Sequence, residues 1–157
     1  MAFGATSKVS SQWASDQPGQ VTLMDWDANT VKSAQYGNAG TPDNTVAAAT
    51  FAYNTGQWVT GNEITSSTDI PAGGLTLASK TNVKTGANVV FSAANTASGA
   101  AATASVYGCL IYSDTIATPV AKQGWCYNSY GGSVVNVSAG TLTLVWDPTN
   151  GIFKFAC

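Results

Sequence analysis

The chain has 157 residues, enough for one domain with a real hydrophobic core. Only 9 % of the residues are charged, against about 25 % in typical soluble domains, and the net charge is −2. Six scattered lysines and no arginine leave no footprint for a phosphate backbone, which argues against a nucleic-acid partner. No run approaches the roughly 18 apolar residues that would span a bilayer, which argues against a membrane one.

Residues 1–20, "MAFGATSKVSSQWASDQPGQ", are small and polar around Phe3 and Trp13 and have no apolar core of a secretory signal. They read as an extended N-terminal arm that docks on the domain or on a neighbour, and residues 21–157 read as a single domain. The stretch "QVTLMDWDANTVKSAQYG" predicts a short strand around Val21 and Leu23, a turn, and a second strand from Val31. Pro42-Asp43-Asn44 predicts a turn that caps one or two helical turns over the Ala-rich run that follows.

From Gln57 onward the signals are β. "TNVKTGANVVF" is a hairpin pattern with its turn over Lys84-Thr85-Gly86-Ala87. "VYGCLIY" is apolar at every alternate position on both sides: Val106, Leu110 and Tyr112 on one face, Tyr107, Cys109 and Ile111 on the other. A strand of that kind is central and buried on both faces. After a turn over Asp114 to Pro119 and the strand "GWCYNSYGG", the segment "SVVNVSAGTLTLVWDPTNGIFKF" predicts three short strands. Their turns fall at Ser138-Ala139-Gly140 and Asp147 to Gly151, with Leu142, Leu144 and Trp146 facing one way and Thr141, Thr143 and Val145 the other. The C-terminal half reads as an antiparallel meander. The fold class expected is all-β, an antiparallel β-sandwich or open barrel with an extended N-terminal arm.

The chemistry-bearing residues do not assemble into a catalytic pattern. Without histidine, Cys109, Cys126 and Cys157 have no imidazole partner, and no lysine sits beside them in sequence to activate a thiol. Their spacing matches no zinc site, so the favoured reading of Cys109 is a small apolar residue inside a strand, while a disulfide between two of the three stays open. "DWDAN", Asp25 to Asn29, opens like a calcium loop but has Thr30 and Tyr36 where such a loop needs Gly and Glu, and it reads as a turn with Trp26 folded onto the core. Glu63, the single glutamate, has no obvious carboxylate partner for glycoside hydrolysis. The expectation is no enzyme, no cofactor and no metal. Trp125, Tyr127 and Tyr130 in "GWCYNSYGG" are candidates for a sugar-stacking platform or a protein interface, with the core as the alternative.

The stretch from Val106 to Phe155 resembles the end of a family of small virion proteins of tailed bacteriophages. The shared pattern is an apolar strand ending in Ile-Tyr (Leu110 to Asp114), a Gly-Gly pair (Gly131-Gly132), a V-x-x-G-T hairpin (Val137 to Thr141) and a final W-D-x-x-x-G-I-F (Trp146 to Phe153). "DWDANTVK" (Asp25 to Lys32) and "AGGLTLASKTNV" (Ala72 to Val83) are similar to earlier parts of that family more loosely. The two cysteines and the "SSTDIP" segment, Ser66 to Pro71, depart from it. The resemblance implies a capsid decoration or cement protein, or otherwise a tail or fibre component. Its partners would be the major capsid protein and copies of itself as a homo-oligomer, and its place the exterior of the virion. Phe3, Trp13, Trp125, Tyr127 and Tyr130 are then the candidate interface residues.

Overall fold

The computed structural model describes residues 6–19 and 25–156. In chain order these form β1 (Lys8–Val9), α1 (Ser11–Gly19), β2 (Val31–Tyr36), two single 3-10 turns (Gly56–Trp58 and Thr60–Asn62), β3 (Leu75–Thr76), β4 (Thr81–Thr85), β5 (Asn88–Ser92), β6 (Thr96–Ala97), β7 (Ala102–Val106), β8 (Gly108–Ser113), β9 (Gly124–Ser129), β10 (Val135–Gly140), β11 (Thr143–Leu144) and β12 (Phe153–Ala156). The architecture is all-β and sandwich-like, with antiparallel sheets and, among the described residues, no closed barrel. The expected first strand around Val21 and Leu23 lies outside the described residues.

The main sheet has the order β1-β9-β8-β2-β3, which puts β8 at its centre with every residue buried. Alternation divides its side chains between two cores, as the sequence pattern requires. Cys109 and Ile111 face a cluster with Trp13, Trp26, Trp125 and Phe153; Leu110 and Tyr112 face one with Phe51, Tyr53 and Trp58. The apolar run is nonetheless broken at Tyr107. Val106 belongs to β7 and packs in a third cluster with Ile70, Leu142 and Leu144, while Tyr107 packs with the Leu110 face rather than the Cys109 face. The Ser66–Pro71 segment closes on itself through a Ser66–Ile70 bridge and delivers the fully buried Ile70 to that third cluster.

The C-terminal strands form no meander. β10 pairs with β7, β11 with β6 and β12 with β5, all antiparallel, while β9 pairs with β8. Residues 88–113 thus run against residues 124–156 as one long bent ribbon whose tip is the loop 114–123. The two turns read from the sequence are excursions within one arm of this ribbon. Ala139, at φ +45, sits in a register shift inside β10. The Asp147 loop closes through Asp147–Gly151 pairing and resumes the same antiparallel course at Phe153↔Phe91. Irregularities of this kind bend and twist a strand pair, so the ribbon is split into short ladders instead of one flat sheet. The β4–β5 hairpin forms as expected, with Thr85 opposite Asn88 and Gly86 at φ +60 in the two-residue turn.

The N-terminal segment is not an extended arm beyond Val9. β1 adds to the edge of the sheet against β9, and Ser11–Gly19 is helical. Ser10 caps the helix, its hydroxyl accepting from the Trp13 N–H at 3.3 Å, and its own N–H donates to the Trp125 carbonyl at 2.8 Å. Trp13 is fully buried, with its ring 5.5 Å from Phe153 and 5.6 Å from Phe155. Asp16 is held by Gln12 at 2.7 Å and by Gln123 at 3.2 Å. Conversely, no helix follows Asp43. Its carboxylate accepts from both the N–H and the hydroxyl of Thr45, which fixes a local turn, and the chain continues in turns that carry Phe51 into the core. Because Trp13 fills the core, Trp13→Ala is expected to cost about 3–5 kcal/mol in urea denaturation. Val83→Ala, at a position 54 % exposed, should stay within about 0.5 kcal/mol. An undocked arm would leave both variants at wild-type stability.

Candidate functional site

Three of the five candidate interface residues are interior. Trp13 and Trp125 are fully buried and Tyr127 is 7 % exposed. β9 lies beside the central strand, so its side chains are covered by the cores on both faces of the sheet. Tyr130 is half-buried, and its hydroxyl donates to Gln35 Oε1 at 2.6 Å. Phe3 lies outside the described residues. With Trp125 and Tyr127 enclosed, the sugar-stacking platform has no accessible rings beyond the edge of Tyr130, and the core reading of those two residues is the one observed.

Cys109 and Cys126 are buried free thiols on adjacent strands, with Cys109 opposite Asn128 and Cys126 opposite Ile111. Burial pushes both thiols above their ordinary range; at Cys109, Ser33, Tyr130 and the Asn128 backbone pull the other way. Neither is a poised nucleophile, since it is the thiolate that reacts. Cys157 lies outside the described residues. Asp25 accepts from the Ala28 N–H at 2.8 Å, which forms the expected turn and folds Trp26 onto the core, where its indole N–H donates to the Ser92 carbonyl at 3.1 Å. Among the described residues, no three His, Cys, Asp or Glu side chains gather as metal ligands would.

The most concentrated polar chemistry surrounds Glu63. One carboxylate oxygen accepts from the Tyr53 hydroxyl at 2.8 Å and the other from the Gly73 N–H at 2.8 Å. The Tyr112 hydroxyl donates to the Gly73 carbonyl at 2.8 Å, and the Tyr53 and Tyr112 rings stack at 4.7 Å. The Tyr36 hydroxyl donates to the Trp58 carbonyl at 2.6 Å. Gly73 and Gly74 admit this close approach. Both have positive φ, and a Cβ on Gly74 would collide with the Ser33 carbonyl. At the rim, Asp114 pairs with Lys32 at 2.7 Å and with Lys122 at 3.2 Å. One oxygen of Glu63 holds the 71–74 loop at Gly73 and the other holds Tyr53, while Tyr112 of β8 ties the same Gly73, so this cluster is a latch within the fold. Composition marked Glu63 as singular, but nothing in the sequence showed its tyrosine partners.

Among the described residues, three of the four exposed large hydrophobic side chains lie on the outer arm of the ribbon, and the fourth, Val83, lies on β4. Val145 is 69 % exposed, Val134 39 % and Val135 36 %. Val135, Val145 and the partly exposed Trp146 line an open groove of about 310 Å³ whose floor is Leu142 and Leu144. The alternation read from the sequence holds here, with Leu142 and Leu144 turned inward and Thr141, Thr143 and Val145 outward. The Trp146 indole N–H donates to the Ala94 carbonyl at 3.2 Å, which fixes the ring across the ribbon. By contrast the exposed edge strand β4 carries Lys84 and is preceded by Lys80, charges that discourage edge-to-edge pairing.

Burial, as the largest effect, raises the Glu63 carboxyl above the ordinary glutamate range, while Tyr53, Gly73 and the Lys32 charge pull it down. Tyr53 is pushed up to about 12, by burial first and by its bond to Glu63 second, and burial also raises Tyr36 and Tyr112. A carboxyl whose folded pKa is raised favours the protonated folded state. Its contribution is fully present below the unfolded glutamate pKa and is lost as pH rises through the higher folded value. Urea unfolding of the wild type is therefore expected to show stability falling across that window, and Glu63→Gln should flatten the fall. An identical pH profile in the variant would remove Glu63 as its source.

No protein-family model, no curated protein and no solved structure matches the chain.

Proposed function

We propose that this protein is a structural component of a tailed-bacteriophage virion that decorates the exterior of the capsid and cements its subunits. The observation that carries this reading is the exposed apolar groove at Val135, Val145 and Trp146, over the buried Leu142 and Leu144. Large exposed apolar groups at the rim of a weakly charged surface favour association with another protein. The resemblance of the Val106–Phe155 stretch to small virion proteins supplies the class of partner: the major capsid protein, with further copies of this chain. Mechanistically, each copy would bury the groove against the shell, and an oligomer touching several subunits at once would gain avidity from effective concentration. Because Trp13 belongs to the core, the contact is assigned to the groove and not to an N-terminal arm.

The test is to mix purified protein with undecorated heads and with isolated tails and to image both by cryo-electron microscopy. Regular density at symmetry-related points of the shell is expected, with the groove against the capsid. Val145→Asp should weaken head binding roughly tenfold, the equivalent of about 1.4 kcal/mol, without lowering stability. Density on tails alone would make the protein a tail or fibre component, and binding to neither would overturn the virion reading.

A further inference from the structure

The sheet β12-β5-β4 ends in a strand that the fold does not cover. β4 is an edge whose hydrogen-bonded neighbour is β5, and all five of its residues are exposed. Its backbone orientation follows from the hairpin. The two-residue turn at Gly86-Ala87 makes Thr85 and Asn88 a hydrogen-bonded pair, and alternation turns the backbone groups of Val83 and Thr81 toward β5 as well. The N–H and C=O groups of Asn82 and Lys84 therefore face outward, and among the described residues nothing bonds to them.

The two faces of this edge differ. Thr81, Val83 and Thr85 project on one side, where with Val90 and Pro148 they line an open groove of about 480 Å³. Asn82 and Lys84 project on the other. Lys84, and Lys80 immediately before the strand, have no ion pair among the described residues, whereas Lys32 and Lys122 share Asp114. Charge limits what can pair here. Opposite charges on cross-strand neighbours stabilise a sheet and like charges destabilise it, so a second copy of β4, with its own two lysines, is disfavoured. An acidic strand meets no such barrier.

We propose that β4 accepts one further strand from a partner protein, an extended segment that alternates acidic and apolar residues. Main-chain hydrogen bonds to Asn82 and Lys84 supply affinity, and the alternate side chains supply selectivity. Residues of the added strand that bond to Asn82 and Lys84 share their face of the sheet, so the one opposite Lys84 is Asp or Glu. The residue between them lies opposite Val83, over the groove that Val83 and Val90 line, so it is aliphatic. This edge shares no residue with the groove at Val135 and Val145, and the contact does not require the partner to be a capsid subunit. The fate of the decoration reading leaves it unaffected.

The experiment is a titration of the ¹⁵N-labelled full chain, followed by amide chemical shifts, with end-blocked peptides of alternating glutamate and valine or of alternating lysine and valine. Saturable shifts at residues 81–85 are expected from the glutamate peptide and none from the lysine peptide. A Lys84→Glu variant that melts at the wild-type temperature should bind the glutamate peptide roughly tenfold more weakly or worse, because attraction becomes repulsion. An N-methyl group on each glutamate nitrogen, which removes the donors turned toward β4, should abolish saturation, whereas one on each valine nitrogen should leave it. Absence of saturation with the glutamate peptide, or equal binding of the lysine peptide, would overturn the site. Indifference to glutamate N-methylation would overturn strand addition. Shifts at 81–85 that grow with protein concentration alone would overturn the acidic partner in favour of a second copy.

Discussion

The structure depends on one constraint: β8 is apolar on both faces and must be covered from both sides. Each large side chain it buries is worth about 1.5–3 kcal/mol relative to exposure, and no single layer can cover Ile111 and Leu110 at once. The two covers are built from different parts of the chain. Below Cys109 and Ile111 lie helix α1, the Trp26 turn and β12; above Leu110 and Tyr112 lie the turns from Phe51 to Trp58. Cys109 fits because a small, weakly polar side chain leaves room for Trp13, Trp26 and Trp125, whose rings pack within about 6 Å of one another or of Phe153.

The same constraint explains why the ribbon bends. If residues 88–113 and 124–156 stayed in one plane, only one face of each arm could meet the core. Breaks at Tyr107, at Ala139 and around the Asp147 loop reorient successive ladders. The β7–β10 and β6–β11 pairs then close over Ile70 and Leu75, while β5 and β12 reach Trp26 and Trp13. Short ladders cost hydrogen bonds at each break, and several of these are recovered locally. Tyr130 N–H bonds to the Tyr107 carbonyl at 2.9 Å and Leu142 N–H to Ser98 Oγ at 2.9 Å.

What the sequence disclosed follows from how local each signal was. The two-sided apolarity of Gly108–Ser113, the Gly86 turn and the alternation from Thr141 to Trp146 are period-2 and turn patterns written into neighbouring residues, and all three are present. The meander failed because partner choice is not local. Turn chemistry at Asp147 is satisfied whether the loop joins two paired strands or interrupts one arm, since its carboxylate accepts from the Thr149 and Asn150 N–H groups either way. The helix at Ser11–Gly19 has one large apolar residue and so no periodic stripe; tertiary burial of Trp13 and the Ser10 cap stabilise it. The Ala-rich run after Asp43 had better helix propensity, yet Phe51 and Trp58 are worth more inside the core than the intervening helical hydrogen bonds would be. Of the candidate site residues, aromatic type was legible but exposure was not, because strands β8 and β9 are adjacent only once the ribbon has formed.

That ordering bears on function. Among the described residues, Cys109 and Cys126 are buried, Glu63 has both oxygens bonded, and burial raises the Tyr36 and Tyr112 hydroxyls above their ordinary range. Among the described residues, the outer face of the 134–146 arm carries valines that gain nothing from water. Val145 directly follows β11, and its inward neighbours Leu142 and Leu144 already supply the core. A surface that the core does not explain is the place where a second molecule is the more economical explanation.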